Sequence, residues 1–225
     1  MTIKAIINQD IRPLSPSETV ENALSLLLEH GVYHLPVVDE QGRVLGSLSE
    51  DQLLSSAGPD CEVASLLVYD PARRPVSVSP ESHVFDVTKK LVEHHLTVVP
   101  AVSADGTYVG LVRRHDLFEQ FARMLSTQER GAILALELNP MDYSLAQLVY
   151  TIENSDVKVL SIASEPPDPI TELIRVTIKL NTTDASRVRH MLEHHGYHVV
   201  ASFSEEESDE DLQWRVEEFM RYLEV

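Results

Sequence analysis

Three stretches of the chain set histidine beside a glutamate and ahead of an apolar run. They are EHGVYHLPVV at residues 29–38, EHHLTVVPAV at 93–102 and EHHGYHVVAS at 193–202. Histidine can ligate a metal or move a proton, so these stretches are where chemistry is sought first. His190 and His194 are four residues apart, which puts two imidazoles on one helix face and could suit zinc or nickel. Gly196 intervenes before His198, however, no HExxH is present, and the nearest acid is Glu193. A buried metal also needs a third ligand and an outer shell of partners, and the sequence identifies neither. Histidines in a last helical turn instead complement the negative helix end. Nucleophiles fare no better. Ser49 pairs with His34 or His115 only if their fold context is ignored, and Cys61 has neither a base nor a CxxC partner. GxSxG, P-loop and GxGxxG motifs are absent. The expectation is no catalytic residue and no metal, with a small enzyme as the weakest alternative.

The first two stretches matter by position. Like residues recur at a fixed offset of 64: Ser15-Pro16 and Ser79-Pro80, Val20 and Val84, Glu29-His30 and Glu93-His94, Pro36 and Pro100. Gly42 and Gly106, Gly46 and Gly110, and Leu53 and Leu117 continue the series. A repeat of this length marks a structural unit. In the first copy Val20, Ala23, Leu24, Leu27 and Leu28 fall at helical spacing, with Ser17 or Thr19 as cap and Gly31 as stop. His34 to Val38 reads as a buried strand, Asp39-Glu-Gln-Gly42 as a hairpin turn, Arg43 to Ser49 as a second strand and Glu50 to Ser56 as a further helix. The second copy repeats this with Val84, Val87, Leu91 and Val92, strands Thr97 to Val102 and Tyr108 to Arg113, and a helix from His115 to Met124. Each unit is β-α-β-β-α. One unit leaves an apolar sheet face open, so the two are expected to pack together.

Composition narrows the partners. The 225 residues carry a net charge of −18, distributed as −7 over residues 1–126, −4 over 127–203 and −7 over 204–225. An acidic chain repels a phosphate backbone, which argues against nucleic acid. No apolar run reaches the roughly 18 residues that would span a membrane, and the N-terminus lacks a signal-peptide pattern. One cysteine forms no internal disulfide. The expected home is the cytoplasm.

The doubled pattern resembles a tandem pair of CBS domains, a Bateman module, over about residues 1–126, with repeats of about 1–62 and 63–126. The strand ending in Pro-Val-Val, the turn glycine and the Gly-x-x-(Ser/Thr)-x-x-Asp close carry the resemblance. That family implies clefts between the copies that often bind AMP, ADP, ATP or S-adenosylmethionine, a regulatory rather than catalytic role, and assembly into flat dimeric discs. In its motif the hydroxyl residue and the aspartate hold phosphate and ribose, the carboxylate accepting from the ribose hydroxyls. The first copy, Gly46-Ser-Leu-Ser49-Glu-Asp51-Gln52, keeps the hydroxyl but has Gln52 at the acid position, and Asp51 points about 100° away on a helix. The second, Gly110-Leu-Val-Arg113-Arg-His115-Asp116, keeps the acid but puts Arg113 where the hydroxyl belongs. On this resemblance Asp116 would take ribose, and Arg113 would meet a phosphate as a bidentate donor. Arg73 and Arg74 are further anion candidates. The base would slide between strands near His34-Leu35 and Val98-Val99. The competing reading is that Asp116 caps its helix and Arg113 is a surface strand residue.

After residue 126 the pattern changes. Gly131 to Leu138, Lys158 to Ser164, Ile170 to Leu180 and His198 to Phe203 read as strands. A helix with Leu145, Leu148, Val149 and Ile152 follows the first of them. Another with Ala185, Val188 and Leu192, capped by Thr183 or Asp184, follows the third. The order β-α-β-β-α-β is ferredoxin-like. Over residues 127–204 it resembles an ACT domain, which would bind a second small ligand or dimerise. The family's Pro-Gly before the first helix is here Tyr143-Ser144, in the loop Asn139-Pro-Met-Asp-Tyr-Ser144. A CBS pair followed by an ACT-like domain resembles the acetoin-utilisation regulatory proteins and related bacterial proteins. Residues 205–225 read as an acidic linker and an amphipathic helix with Leu212, Val216, Phe219, Met220 and Leu223 on one stripe and Trp214 off it. The fold class is therefore α+β. The expected function is a homodimeric sensor of an adenine nucleotide that acts on a regulated protein. The alternative is a ligand-free dimerisation scaffold.

Overall fold

The computed structural model describes residues 1–56, 58–67, 75–141 and 143–204. The chain divides into two compact units, Met1–Gln120 and Phe121–Val225.

In the first unit each repeat is a helix, a hairpin and a second helix. The first has α1 (Val20–His30), β1 (His34–Val38), β2 (Val44–Ser49) and α2 (Glu50–Leu54); the second has α3 (Val84–Glu93), β3 (Val98–Val102), β4 (Tyr108–Arg113) and α4 (Arg114–Met124). Thr19 caps α1 by accepting the Asn22 amide, and Gly31 at φ 60° ends it, a left-handed stop that glycine takes without strain. Gly42 and Gly106 close the two hairpins at φ 76° and 91°. The pairings match residue for residue: His34 lies opposite Ser49 in one hairpin, and Val98 opposite Arg113 in the other.

The opening strand expected of each unit is only a single parallel bridge, Leu14 to Val37 and Val78 to Ala101. Leu14 donates to Pro36 and accepts from Val38, and Val78 does the same with Pro100 and Val102. Pro13 and Pro16 flank Leu14, and Pro75 and Pro80 flank Val78. Prolines have no N–H to extend a ladder, so the strand cannot lengthen.

Each repeat is completed by chain from outside the helix–hairpin–helix core. Val63, in the short 3₁₀ turn Val63–Leu66, is fully buried in the first repeat's core, with Leu66, Leu67 and Cys61 packed against it. The corresponding segment for the second repeat is the N-terminus. Ile3 donates to Ser82, Val84 donates to Met1, and Asn8 exchanges two backbone bonds with Leu111 at 2.7 and 2.9 Å. Val98 and Leu111 of the second repeat enter the first repeat's core cluster, so the two sheets share one interior. Burying each such side chain is worth about 1.5–3 kcal/mol.

Two helix-face expectations need correction. Leu28 is 85% exposed and Val92 is 64% exposed, while Leu26 is buried instead. These two residues are 64 apart in sequence, and both lie at the edge of the apolar stripe. The face that meets the sheet is the narrower one of Val20, Ala23, Leu26 and Leu27, and of Val84, Val87 and Leu91.

The second unit has β5 (Ile133–Leu138), α5 (Leu145–Glu153), β6 (Val159–Ser164), β7 (Ile174–Leu180), α6 (Ser186–His194) and β8 (His198–Phe203). The sheet order is β6-β7-β5-β8, every pair antiparallel, which is the ferredoxin-like arrangement. Alternation along β5 and β7 turns Leu134, Leu136, Leu138, Val176, Ile178 and Leu180 into a core with Leu148, Ile152, Val188 and Leu192 of the helices. The strand expected from Ile170 begins only at Ile174. Asp168 turns the chain by accepting the Ile170 and Thr171 amides at 2.9 and 2.8 Å, which leaves Ile170 91% exposed. The Asp184 carboxylate accepts the Ser186 amide at the start of α6. The residues expected to form a C-terminal helix lie outside the described residues.

Candidate functional site

The candidate residues of the first unit converge on the same end of the two hairpins. There β1 and β3 begin, β2 and β4 end, and α2 and α4 start. Both helix starts are tied to the strand starts by equivalent bonds: Glu50 N–H donates to Tyr33 at 3.0 Å, and Arg114 N–H donates to Thr97 at 2.9 Å.

At the first junction Ser49 and Gln52 form a capping box. The Ser49 hydroxyl accepts the Gln52 amide at 3.2 Å, and the Gln52 side-chain carbonyl accepts the Ser49 amide at 2.9 Å. The Ser49 hydroxyl keeps its own O–H to donate, and the Gln52 amide keeps its NH₂. What remains at this junction is neutral donors and one spare lone pair on each oxygen, with no charge.

At the second junction Arg113 and Asp116 hold each other. The Arg113 Nε donates to both carboxylate oxygens at 3.1 and 3.0 Å, and Nη2 donates to Oδ1 at 2.6 Å. The Arg113 backbone N–H donates to Oδ2 at 3.2 Å, so Asp116 also caps the helix. The side chains are 31% and 14% exposed. The carboxylate raises the Arg113 pKa further, and that is the largest influence on it. The two readings of Asp116, cap and functional acid, thus describe one carboxylate in one place.

A side-chain bond joins the junctions. His34 Nδ1 lies 2.9 Å from the Thr97 hydroxyl oxygen, across the two repeats. Burial lowers the His34 pKa, and the positive charge of Arg114 lowers it further; Asp51 acts in the opposite direction. The Arg114 guanidinium donates to the Leu96 carbonyl at 2.7 Å. Leu35, Val98 and Val99 are fully buried, backbone included, and each is paired in its hairpin, so a base reaching this place would have to part the packing around them. Arg73 and Arg74 lie outside the described residues.

Sequence reasoning missed Thr97, although it follows directly on the helix-to-strand corner. It also missed Tyr108, which heads β4 and donates its N–H to Gly42 of the other hairpin at 2.7 Å. The Tyr108 hydroxyl is buried with no hydrogen-bond partner among the described residues, and burial pushes its pKa up to about 12.

In the second unit a cavity of about 360 Å³ lies beside the end of β5, lined among others by Glu137, Asn139, Gln147, Thr151, His195 and Tyr197. Glu137 is paired with Arg175 at 2.8 Å. His195 Nδ1 lies 2.8 Å from the Met191 carbonyl, at the helix end, and His190 faces Glu193 at 3.7 Å. Among the described residues no three His, Cys, Asp or Glu side chains gather as a metal site, and no helix is long and apolar enough to cross a membrane.

The family model described as CBS domain matches residues 3–58 and 63–123, just over half of the chain. An uncharacterized protein of Methanocaldococcus jannaschii is 23% identical over 124 residues, covering 55% of this chain and 58% of that protein. Inosine-5′-monophosphate dehydrogenase of Korarchaeum cryptofilum is 29% identical over 147 residues, covering 64% of this chain and 30% of that protein. The chain thus spans little more than half of one relative's length and under a third of the other's. Among solved structures, a CBS domain pair/ACT domain protein from Thermotoga maritima aligns with a TM-score of 0.49 and 22% identity, covering 56% of this chain and 99% of that one.

Proposed function

The chain belongs to the CBS-domain family, and on that premise we propose that it is a regulatory protein whose inter-repeat cleft takes an adenine nucleotide: AMP, ADP, ATP or S-adenosylmethionine. The observation that carries this reading is the Arg113–Asp116 pair. At the family's phosphate and ribose positions the second repeat holds one donor fork and one acceptor, side by side at the β4–α4 junction. A phosphate needs such a donor, and a ribose diol needs such an acceptor. The first repeat, which has Gln52 in place of the acid, is the poorer half-site.

Regulation follows from the placement of His34 and Thr97. A base entering near His34-Leu35 and Val98-Val99 has to part that bond, so ligand binding and repeat packing are coupled. The ligand would shift the population between two packings in proportion to its preference for one of them. No catalytic step is assigned, and the protein regulated is a separate partner.

The second unit fits an ACT-like domain by its topology, and its cavity of about 360 Å³ is in the size range of small-ligand sites. It would hold a second small ligand or serve dimerisation. A homodimer is supported by apolar side chains left exposed at matching positions of both repeats: Leu28 with Val92, and Leu54 with Phe118. The second reading, a ligand-free scaffold, is favoured by the closed capping box of Ser49 and Gln52.

The deciding experiment is calorimetric titration of the full chain with AMP, ADP, ATP and S-adenosylmethionine, with melting shifts alongside. Binding at micromolar to submillimolar ligand is expected. Silence at millimolar concentrations of all four would leave the scaffold.

A further inference from the structure

We propose that the Arg113–Asp116 fork is a specificity device that admits nucleosides carrying a phosphate and turns away those without one. This rests on the nucleotide reading above and narrows it to a ligand class.

The acceptor positions on Asp116 are few and already taken. A carboxylate offers about four lone-pair positions. Asp116 already accepts Arg113 Nε with both oxygens, Nη2 with Oδ1 and the Arg113 backbone N–H with Oδ2. A ribose diol can reach this carboxylate only by displacing the guanidinium. Displacement takes from Arg113, a side chain 31% exposed, its nearest counter-charge and leaves only the weaker pull of Glu119. A phosphate on the same nucleoside supplies the missing anion, and guanidinium matches phosphate with the same two-pronged geometry it uses for carboxylate. With a phosphorylated ligand the exchange is therefore complete: Arg113 moves from carboxylate to phosphate, and Asp116 moves from guanidinium to diol. With a bare nucleoside the exchange is half complete and one charge is stranded.

The usual hydroxyl at position 113 would impose no such condition, because a neutral donor leaves the acid unpaired and open. The first repeat shows the contrast. Ser49 and Gln52 satisfy each other without charge, so opening that junction strands no ion. Nor can a general electrostatic field explain a preference for anions. The chain's net charge of −18 repels them, so any preference for the phosphorylated ligand has to come from a local cation.

The test is titration of the full chain with adenosine and with AMP at fixed ionic strength, for wild type and for Arg113→Gln. Wild type is expected to bind AMP at least about tenfold more tightly than adenosine, the scale set by one stranded charge-assisted partner. In Arg113→Gln the two affinities should converge to within about threefold, with adenosine gaining as the acid is released. Arg113→Lys, which keeps the charge but not the fork, should fall between them. Inorganic phosphate alone should compete only weakly with AMP, since it leaves Asp116 without a diol. Equal binding of adenosine and AMP by wild type would overturn the gate while leaving the nucleotide reading intact. So would a full AMP preference surviving in Arg113→Gln. Binding of neither ligand would overturn the gate, and silence of ADP, ATP and S-adenosylmethionine as well would overturn both. The wild-type comparison needs no variant to fold.

Discussion

Gly46 and Gly110 occupy the same place in the two repeats, yet replacing each by alanine should have very different costs. Gly46 has an ordinary φ, and an added Cβ would sit 3.0 Å from Leu67 Cδ2, the end of a flexible side chain. Alanine in a strand interior also recovers backbone entropy. Gly46→Ala should therefore lie within about 1 kcal/mol of wild type. Gly110 has φ +140°, and its Cβ would lie 2.6 Å from the Asn8 carbonyl oxygen and 2.6 Å from Ile7 Cγ2. The neighbour here is backbone, held by the two Asn8–Leu111 bonds, so it cannot yield without breaking them. A backbone forced into this region costs about 1–3 kcal/mol, and overpacking adds about 1–3 more. Gly110→Ala should lose about 3–5 kcal/mol, a melting shift on the order of 10 °C for a chain of this size. Gly106→Ala isolates the strain: φ is +91° with nothing within 4 Å, and a loss of about 1–2 kcal/mol is expected. Urea midpoints for the three variants give the ranking. If Gly46→Ala proves as damaging as Gly110→Ala, the N-terminal segment does not cross the second repeat as described.

Three further outcomes follow from the same unit. His34 has a lowered pKa because burial disfavours its charged form, so below the ordinary value of 6.5 the unfolded chain takes up the proton first. Stability from this residue is present above that value and drains as pH falls through the folded pKa. His34→Gln should flatten that part of the pH–stability curve, and parallel curves would show that His34 does not titrate in the cleft. Asp116→Asn keeps an acceptor for the Arg113 amide but removes the counter-charge, and should cost about 1 kcal/mol, a difference that shrinks in high salt. A variant as stable as wild type at low salt would mean the fork contributes nothing. Phe118→Glu together with Leu54→Glu should bring the light-scattering mass down from twice 25.2 kDa to 25.2 kDa; a monomeric wild type would remove the homodimer.

What was legible in the sequence was whatever local chemistry dictates. Turn glycines, apolar alternation and helical spacing gave the hairpins of both repeats and the ferredoxin-like order of the second unit, while the flanking prolines that cut each opening strand to a single bridge went unread. The misreadings came from questions that a local pattern does not contain. Leu28 and Val92 sit at helical spacing with the true core residues, but how wide a stripe a sheet covers depends on the partner surface, and here it stops short of them. Ile170 continues the apolar beat of its strand, yet three bonds to the Asp168 carboxylate turn the chain first. The site shows the same division. Ser49, Gln52, Arg113 and Asp116 could be found because an i to i+3 pair at a strand–helix junction is a local motif. Thr97 could not, because its partner His34 lies 63 residues away in the other repeat. Nor could the closed state of both junctions be foreseen from the residue types. A donor and an acceptor three apart on a helix start read equally well as a waiting ligand site and as a satisfied cap. The hydrogen bonds show that each junction satisfies itself from its own residues. On the proposed nucleotide reading a ligand would have to compete with bonds already made, so the affinity of the cleft would be set by what the ligand gives back to Arg113 as much as by what it takes from Asp116.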